Sequence, residues 1–244
     1  MNLGLEGHAA LVTGGARGIG AAIALALARE GCDVAIVDRE ASPVDAILAL
    51  GRRGLALTAD VREPAAAARA VADVLRAFGR LDILVCSAGI TADATVWKMT
   101  EQQWDEVIAV NLKGVFNYNQ VAARVFRERK SGKIVNLSSI NGLRGKFGQA
   151  NYAASKAGVI ALSKSLAREL GKYGVNVNAI APGMVETAMS RALPAEVVEA
   201  ALAETVLKRL GTPEDCADLA VFLCSDRARH ITGEVILIDG GQYL

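Results

Sequence analysis

The chain has 244 residues, 52% hydrophobic and 22% charged, with 27 Lys plus Arg against 26 Asp plus Glu for a net charge of +1. A chain of this length can bury a core as one α/β domain without disulfides or metals, and its even charge excludes a generalised nucleic-acid surface. Four cysteines (Cys32, Cys86, Cys216, Cys224) without C-x-x-C spacing, joined only by His8 and His230, exclude a metal cluster.

In chain order, residues 1–7 show no basic stretch followed by an apolar one, and no apolar run approaches a membrane span. With thiols expected to be reduced, the expected compartment is the cytoplasm. Short β-branched runs predict strands at 8–12, 33–37, 55–57, 83–85, 133–137, 175–180 and 235–238. Several are almost continuously apolar, as parallel strands covered on both faces are. Between them, helix formers predict helices at 18–30, 43–53, 64–78, 101–129 and 151–173. A further helix at 213–224 takes Thr212 as its N-cap and Pro213 at its first position. The cations Arg124, Arg127, Arg129, Lys130 and Lys133 read as a solvated helix end. This alternation predicts one α/β domain over 1–244, a doubly wound Rossmann fold with a seven-stranded parallel sheet flanked by helices.

The segment after the first strand, Thr13-Gly14-Gly15-Ala16-Arg17-Gly18-Ile19-Gly20, opens the first helix. Glycines there let the chain turn tightly and bring backbone N–H groups to a pyrophosphate, with the helix N-terminus adding positive potential. Asp38 closes the second strand, 18 residues beyond Gly20. An acid at that place accepts hydrogen bonds from ribose hydroxyls and repels a 2′-phosphate, which favours NAD over NADP. Arg17 and Arg39 keep NADP possible, since either can reach toward a phosphate.

Tyr152 and Lys156 lie four residues apart, on one face of a predicted helix. A free tyrosine, with a pKa of about 10, is too weak an acid for proton transfer near neutrality. A lysine cation one turn away and an oxidised nicotinamide ring would lower it. Ser138 and Ser139 end the fifth predicted strand, at the sheet edge where ligands bind, and a hydroxyl there can hold a carbonyl while Tyr152 delivers its proton.

With these residues in view, the sequence resembles the short-chain dehydrogenase/reductase family along essentially its whole length. The Thr-Gly-x-x-x-Gly-x-Gly pattern falls on Thr13, Gly14, Gly18 and Gly20, and Asp60-Val61 matches the pair that lines the adenine in relatives. Asn111, Ser139, Tyr152 and Lys156 match the family's catalytic tetrad, and the Pro182-Gly183-Met184-Val185-Glu186-Thr187 run matches its Pro-Gly loop. The resemblance implies that Tyr152 is the general acid/base and Ser139 the positioner of the substrate oxygen. Lys156 would lower the tyrosine pKa and hold the nicotinamide ribose, Asn111 would keep a water in a proton relay, and Thr187 would contact the carboxamide. Asn111 also reads as a helix-kink residue. The cofactor set is then Gly14, Arg17, Gly18, Ile19, Gly20, Asp38, Asp60, Val61, Ser87, Ala88, Gly89, Tyr152, Lys156, Pro182, Gly183, Val185 and Thr187. The family's Asn-Asn-Ala-Gly is replaced by Cys86-Ser87-Ala88-Gly89, so Ser87 is expected to supply part of the lost bracing, with Cys86 a buried small hydrophobe.

Within the family the resemblance is closest to the 3-oxoacyl-[acyl-carrier-protein] reductases, through Ala88-Gly89-Ile90-Thr91, the 149–154 run and the 239–244 ending. It implies a 3-oxoacyl thioester on acyl carrier protein or CoA, with Lys130, and Lys172 one place off, where relatives carry bases for the acidic carrier. Reductases of that group usually take NADPH, so Asp38 pulls the other way and better suits an NAD-linked dehydrogenase of a 3-hydroxyacyl thioester, a cyclic alcohol or a sugar alcohol. Substrate shape is expected from 184–210, through Met184, Val185, Met189, Leu193, Val197 and Val198, with walls from 92–99 and 140–148. The rival readings are a catalytically silent dinucleotide-binding sensor or scaffold and a sugar-nucleotide epimerase. Neither membrane nor nucleic acid is an expected partner. A homotetramer through the 101–129 and 151–173 helices is the assembly the resemblance implies.

Overall fold

The computed structural model describes residues 3–40 and 42–244; the side chain of Met189 also lies outside what is described. Seven parallel strands form one sheet in the order β3-β2-β1-β4-β5-β6-β7. They are β1 (Ala9–Thr13), β2 (Asp33–Asp38), β3 (Gly54–Thr58), β4 (Ile83–Cys86), β5 (Gly132–Leu137), β6 (Val175–Pro182) and β7 (Val235–Ile238). The helices are α1 (Gly18–Arg29), α2 (Val44–Ala49), α3 (Pro64–Phe78), α4 (Glu101–Ile108), α5 (Gly114–Arg129), α6 (Asn141–Arg144), α7 (Ala150–Leu170), α8 (Ala188–Arg191), α9 (Ala195–Glu204) and α10 (Pro213–Cys224). The chain runs outward from β1 to β3, then returns to place β4 on the other side of β1. The strand order therefore reverses between β1 and β4, which opens a crevice at their carboxyl ends.

Strand periodicity divides the core. Ala9 and Leu11, Ala35 and Val37, and Leu84 and Cys86 face the side covered by α3, α5 and α7. Ala10 and Val12, Val34 and Ile36, and Ile83 and Val85 face the side covered by α1 and α10. These side chains are 0–1% exposed, and each large one contributes about 1.5–3 kcal/mol by leaving water. Both faces being covered explains why these strands read as unbroken apolar runs rather than alternating ones.

Three predicted helices differ from the observed ones. The stretch expected as one helix over 101–129 is interrupted by a π-helical turn at Ala109–Lys113, between α4 and α5. The fully buried Asn111 lies in that turn, and its amide is drawn to the loop after β4 and to α7, which repays the lost α-helical register. The 43–53 helix shortens to the six residues of α2, ended at Gly51 with φ of 72°. The 151–173 helix ends at Leu170 and tightens into a 3₁₀ turn at Gly171–Tyr173. By contrast, α10 has its expected bounds, with Thr212 and Asp215 capping each other reciprocally and Pro213 opening the first turn. No helix among the described residues is long and apolar enough to cross a membrane. Among them, no group of three or more His, Cys, Asp or Glu could hold a metal ion.

Candidate active site

A cavity of about 360 Å³ opens at the carboxyl ends of the strands, at the crevice between β1 and β4. Every residue of the expected catalytic and cofactor sets except Asn111 lines it. At its floor the chain turns from β1 into α1 with Gly14 at φ of 68°. A Cβ on Gly14 would come within 2.6 Å of the Ala88 backbone, and one on Gly20 within 2.1 Å of the Gly14 carbonyl. Any larger residue would fill the cradle or push the two loops apart. Arg17 caps α1 without a side-chain hydrogen bond, and no acidic residue stands in the first turn. The orphan N–H groups and the dipole of α1 are thus directed at the cavity, a fit for a pyrophosphate.

At one end of the cavity Asp38 accepts the Ala16 N–H (3.0 Å) and the Arg39 N–H (2.7 Å), so its carboxylate is clamped between the glycine loop and the end of β2. Arg17 does not stand free: its guanidinium pairs with Glu40 at 3.0 Å. Asp60 accepts two-pronged hydrogen bonds from Arg62, and that guanidinium holds its carboxyl below the usual range. Val61 is buried against Gly114, where a Cβ would approach to 2.8 Å, and its carbonyl accepts from the Asn117 amide. Gly114 and Asn117 therefore set the height of the wall that Asp60 and Val61 form.

At the other end, Ser139 follows β5, while Tyr152 and Lys156 rise from α7. Lys156 is 4% exposed, and its Nζ donates to the Leu137 carbonyl at 2.8 Å while lying 5.6 Å from the centre of the Tyr152 ring. Burial pushes the Lys156 ammonium down to about 8. Burial also raises the Tyr152 phenol above its ordinary value; the hydrogen bond from Ser139 works against that rise, and the charge of Asp93 adds to it. In the protein alone burial therefore outweighs whatever Lys156 does to the phenol. Ser138 points away, donating to the Lys156 carbonyl at 2.9 Å. Asn111 contributes from behind the wall: its Oδ1 accepts the Ile90 N–H, and its Nδ2 donates to the Ile90 carbonyl and to Ser155. Its side chain thus fastens the loop after β4 to α7 and is fully occupied in doing so.

The end of β4 departs from expectation in how it is braced. Ser87 ties to β1 through its backbone N–H, which donates to the Thr13 carbonyl at 3.1 Å. The side-chain bracing comes instead from beneath. Asn119 donates to Cys86 Sγ (3.4 Å) and Asn136 Oδ1 (2.9 Å), and Asn136 donates to Ser163 (3.0 Å). A buried amide pair on α5 and β5 thus does the work expected of Ser87. Cys86 is 1% exposed, and burial pushes its thiol up to about 12, so it sits as a neutral core residue.

The Pro-Gly loop is held by the far end of the chain. Pro182 O accepts the Ile140 N–H, and Met184 N donates to Gln242 Oε1 at 2.9 Å. Thr187 caps α8 reciprocally with Ser190, and its methyl group faces the Gly18 turn. Of the apolar residues expected to shape the substrate, Met184, Val185 and Leu193 line the cavity, while Val197 and Val198 sit half-buried on α9, outside its wall. Residues 92–99 contribute Asp93, and 140–148 contribute Ile140, Asn141, Arg144 and Lys146. Sequence reasoning reached Asp93, Gln149 and Gln242 only as members of wider runs and missed Glu40, whose partner Arg17 is remote in sequence.

Comparison with known proteins agrees with this geometry. Residues 14–242 match a family described as enoyl-(acyl carrier protein) reductase. A 3-oxoacyl-[acyl-carrier-protein] reductase, FabG, of Staphylococcus aureus (strain Mu50) is 46% identical over 96% of this chain and 98% of its own. The protein of the same name from Escherichia coli (strain K12) is 41% identical over 99% and 100%. Among solved structures, a putative short-chain alcohol dehydrogenase from Sinorhizobium meliloti 1021 superposes with a TM-score of 0.93 at 38% identity, covering 99% of this chain and 98% of that one.

Proposed function

The chain belongs to the short-chain dehydrogenase/reductase family, oxidoreductases that use a nicotinamide cofactor, and from that premise we propose that it reduces a 3-oxoacyl thioester with NADH. The observation that carries this reading is the convergence of Ser139, Tyr152 and Lys156 on the cavity that the glycine loop opens. When bound, a reduced nicotinamide supplies a hydride to the carbonyl carbon. Tyr152 Oη gives its proton to the carbonyl oxygen, while the Ser139 hydroxyl holds that oxygen in place. Lys156, fixed by the Leu137 carbonyl, sets a positive charge beside the phenol as it loses its proton, and would hold the nicotinamide ribose when the cofactor is bound. Asn111 keeps the Ile90 loop and α7 in register around this group. Two hydroxyls aimed at one oxygen suit a ketone, whose oxygen takes the proton, better than the carbon–carbon double bond named in the family description.

The choice of NADH rests on Asp38 and Glu40. Asp38 is clamped where a ribose would sit, and Glu40 pairs with Arg17, one of the two cavity arginines able to meet a 2′-phosphate, the other being Arg39. The same pair favours a second reading, an NAD-dependent dehydrogenase of a cyclic or sugar alcohol. The thioester is carried by CoA or by acyl carrier protein, whose acidic surface would meet the exposed Lys130 after α5 and Lys172 after α7. Substrate shape is assigned to 184–210. The exposed Trp104 on α4 and Phe116 on α5 support a homotetramer through the 101–129 and 151–173 helices. Initial rates of NADH and NADPH oxidation with acetoacetyl-CoA test the proposal together. Faster turnover with NADH supports it, a preference for NADPH overturns the cofactor assignment, and no turnover with either moves the search to cyclic and sugar alcohols.

A further inference from the structure

Three segments of the cavity wall are joined by a line of hydrogen bonds that the proton-transfer step leaves unused. Gln149, 8% exposed, precedes α7 and stands three residues before Tyr152. Its Nε2 donates to Asp93 Oδ2 at 2.8 Å, and its Oε1 accepts from Asn141 Nδ2 at 3.0 Å. Asn141 in turn donates its backbone N–H to Ser139 Oγ at 3.1 Å. That last bond occupies a lone pair of Ser139 and leaves its hydrogen free to donate into the cavity that Ser139 lines. The carboxylate fixes the sense of the whole line: because Asp93 only accepts, the Gln149 amide cannot flip, and the Asn141 amide is set by it. A backbone hydrogen bond from Ala94 N to the Gly148 carbonyl at 2.8 Å holds the two loops together beside this line.

We propose that Asp93 and Gln149 form a positioning relay that, through Asn141, holds the Ser139 hydroxyl in place beside Tyr152 and sets a negative charge on the cavity wall that Tyr152 shares. This rests on the reading of Tyr152 as the acid in carbonyl reduction. The charged groups that face the phenol are few. Lys156 comes from its own helix, Asp93 from the loop after β4, and Lys146 from the loop before α7. Arg144 on α6 also lines the cavity but is paired with Glu204 of α9 at 3.0 Å. The 184–193 wall presents no charged side chain among its lining residues. Asp93 is thus the negative charge on that wall, and its effect on the phenol is in the direction of a stronger hold on the proton.

The test separates charge from aim. In Asp93→Asn the charge is lost while the side chain can still accept from Gln149, and Asp93 is exposed enough for the variant to fold. Protein labelled with ¹³C at the tyrosine ζ carbon, with the Tyr152 resonance assigned by its loss in Tyr152→Phe, should show Tyr152 titrating at lower pH in Asp93→Asn than in wild type. Gln149→Leu breaks the line and leaves the charge; kcat with acetoacetyl-CoA should fall roughly ten- to a hundredfold with KM unchanged, as expected for a misaimed group. An unchanged Tyr152 midpoint in Asp93→Asn, or a wild-type kcat in Gln149→Leu, overturns the proposal. Wild-type protein that leaves acetoacetyl-CoA untouched would instead refute the thioester reading, and the NMR midpoint would then decide the relay by itself.

Discussion

The two ends of the cavity are built on opposite principles. At the Tyr152 end the working groups are buried and held mostly by uncharged partners: Lys156 by a carbonyl, Asn111 by the backbone of Ile90, Cys86 by Asn119. At the Asp38 end the side chains are paired as ions near solvent, Arg17 with Glu40 and Arg62 with Asp60. A buried network of low dielectric fixes geometry and shifts proton affinities, which proton transfer requires. Exposed ion pairs hold little energy but choose by charge, which is all that discrimination of a 2′-phosphate demands. Chemistry is thus assigned to the end that is costly to alter, and cofactor choice to the end that is cheap to alter.

If that contrast is right, substitutions at the two ends should differ in what they change. The largest effect is expected from Tyr152→Phe, with turnover down about 10²–10⁴-fold, while NADH binding followed by fluorescence survives. Lys156→Met should also abolish most turnover yet stabilise the fold at neutral pH by about 1–3 kcal/mol, read from urea unfolding, because a buried charge is removed. The sign has a pH signature. With its ammonium held at about 8 in the folded chain against 10.5 unfolded, wild type should gain stability as pH rises from about 8 to 10.5, and the variant should not. Asn119→Ala, which takes the donor from the buried Asn136 Oδ1, should cost about 1–3 kcal/mol of stability and leave the cofactor preference alone. The smallest energetic effect is expected at the charged end: Glu40→Gln should change stability by less than about 1 kcal/mol while freeing Arg17, so that kcat/KM with NADPH rises relative to NADH. A large loss of stability in Glu40→Gln, or none in Asn119→Ala, would break the contrast.

The same contrast governs what could be read in the sequence. The strands were legible because burial on both faces leaves apolar runs such as 83–85, and α10 because Thr212 and Pro213 mark its start locally. The glycine loop, Asp38, Ser139, Tyr152 and Lys156 were legible because each sits at a strand end or at helical spacing, and the structure brings them to one cavity. What escaped depends on partners far apart in the chain. The π-helical turn forms because Asn111 bonds to Ile90 and Ser155; the sequence marked Asn111 as a helix-kink residue, but its partners are remote in the chain. Ser87 was expected to brace β4, but Asn119 and Asn136 do so from α5 and β5, 33 residues from Cys86 in the first case. Gln149 and Asp93 are 56 residues apart, and Arg17 and Glu40 are 23 apart. Only the folded crevice makes these into pairs.

The central claim is that this cavity performs NADH-dependent reduction of a 3-oxoacyl thioester with Tyr152 as the acid. Its most direct test is to incubate the protein with NADH and acetoacetyl-CoA and to measure 3-hydroxybutyryl-CoA alongside the fall in NADH absorbance. The account predicts one product molecule for each NADH oxidised in wild type and a rate of both signals lower by about 10²–10⁴-fold in Tyr152→Phe. NADH oxidation without the hydroxy product, or equal product from both proteins, would contradict it.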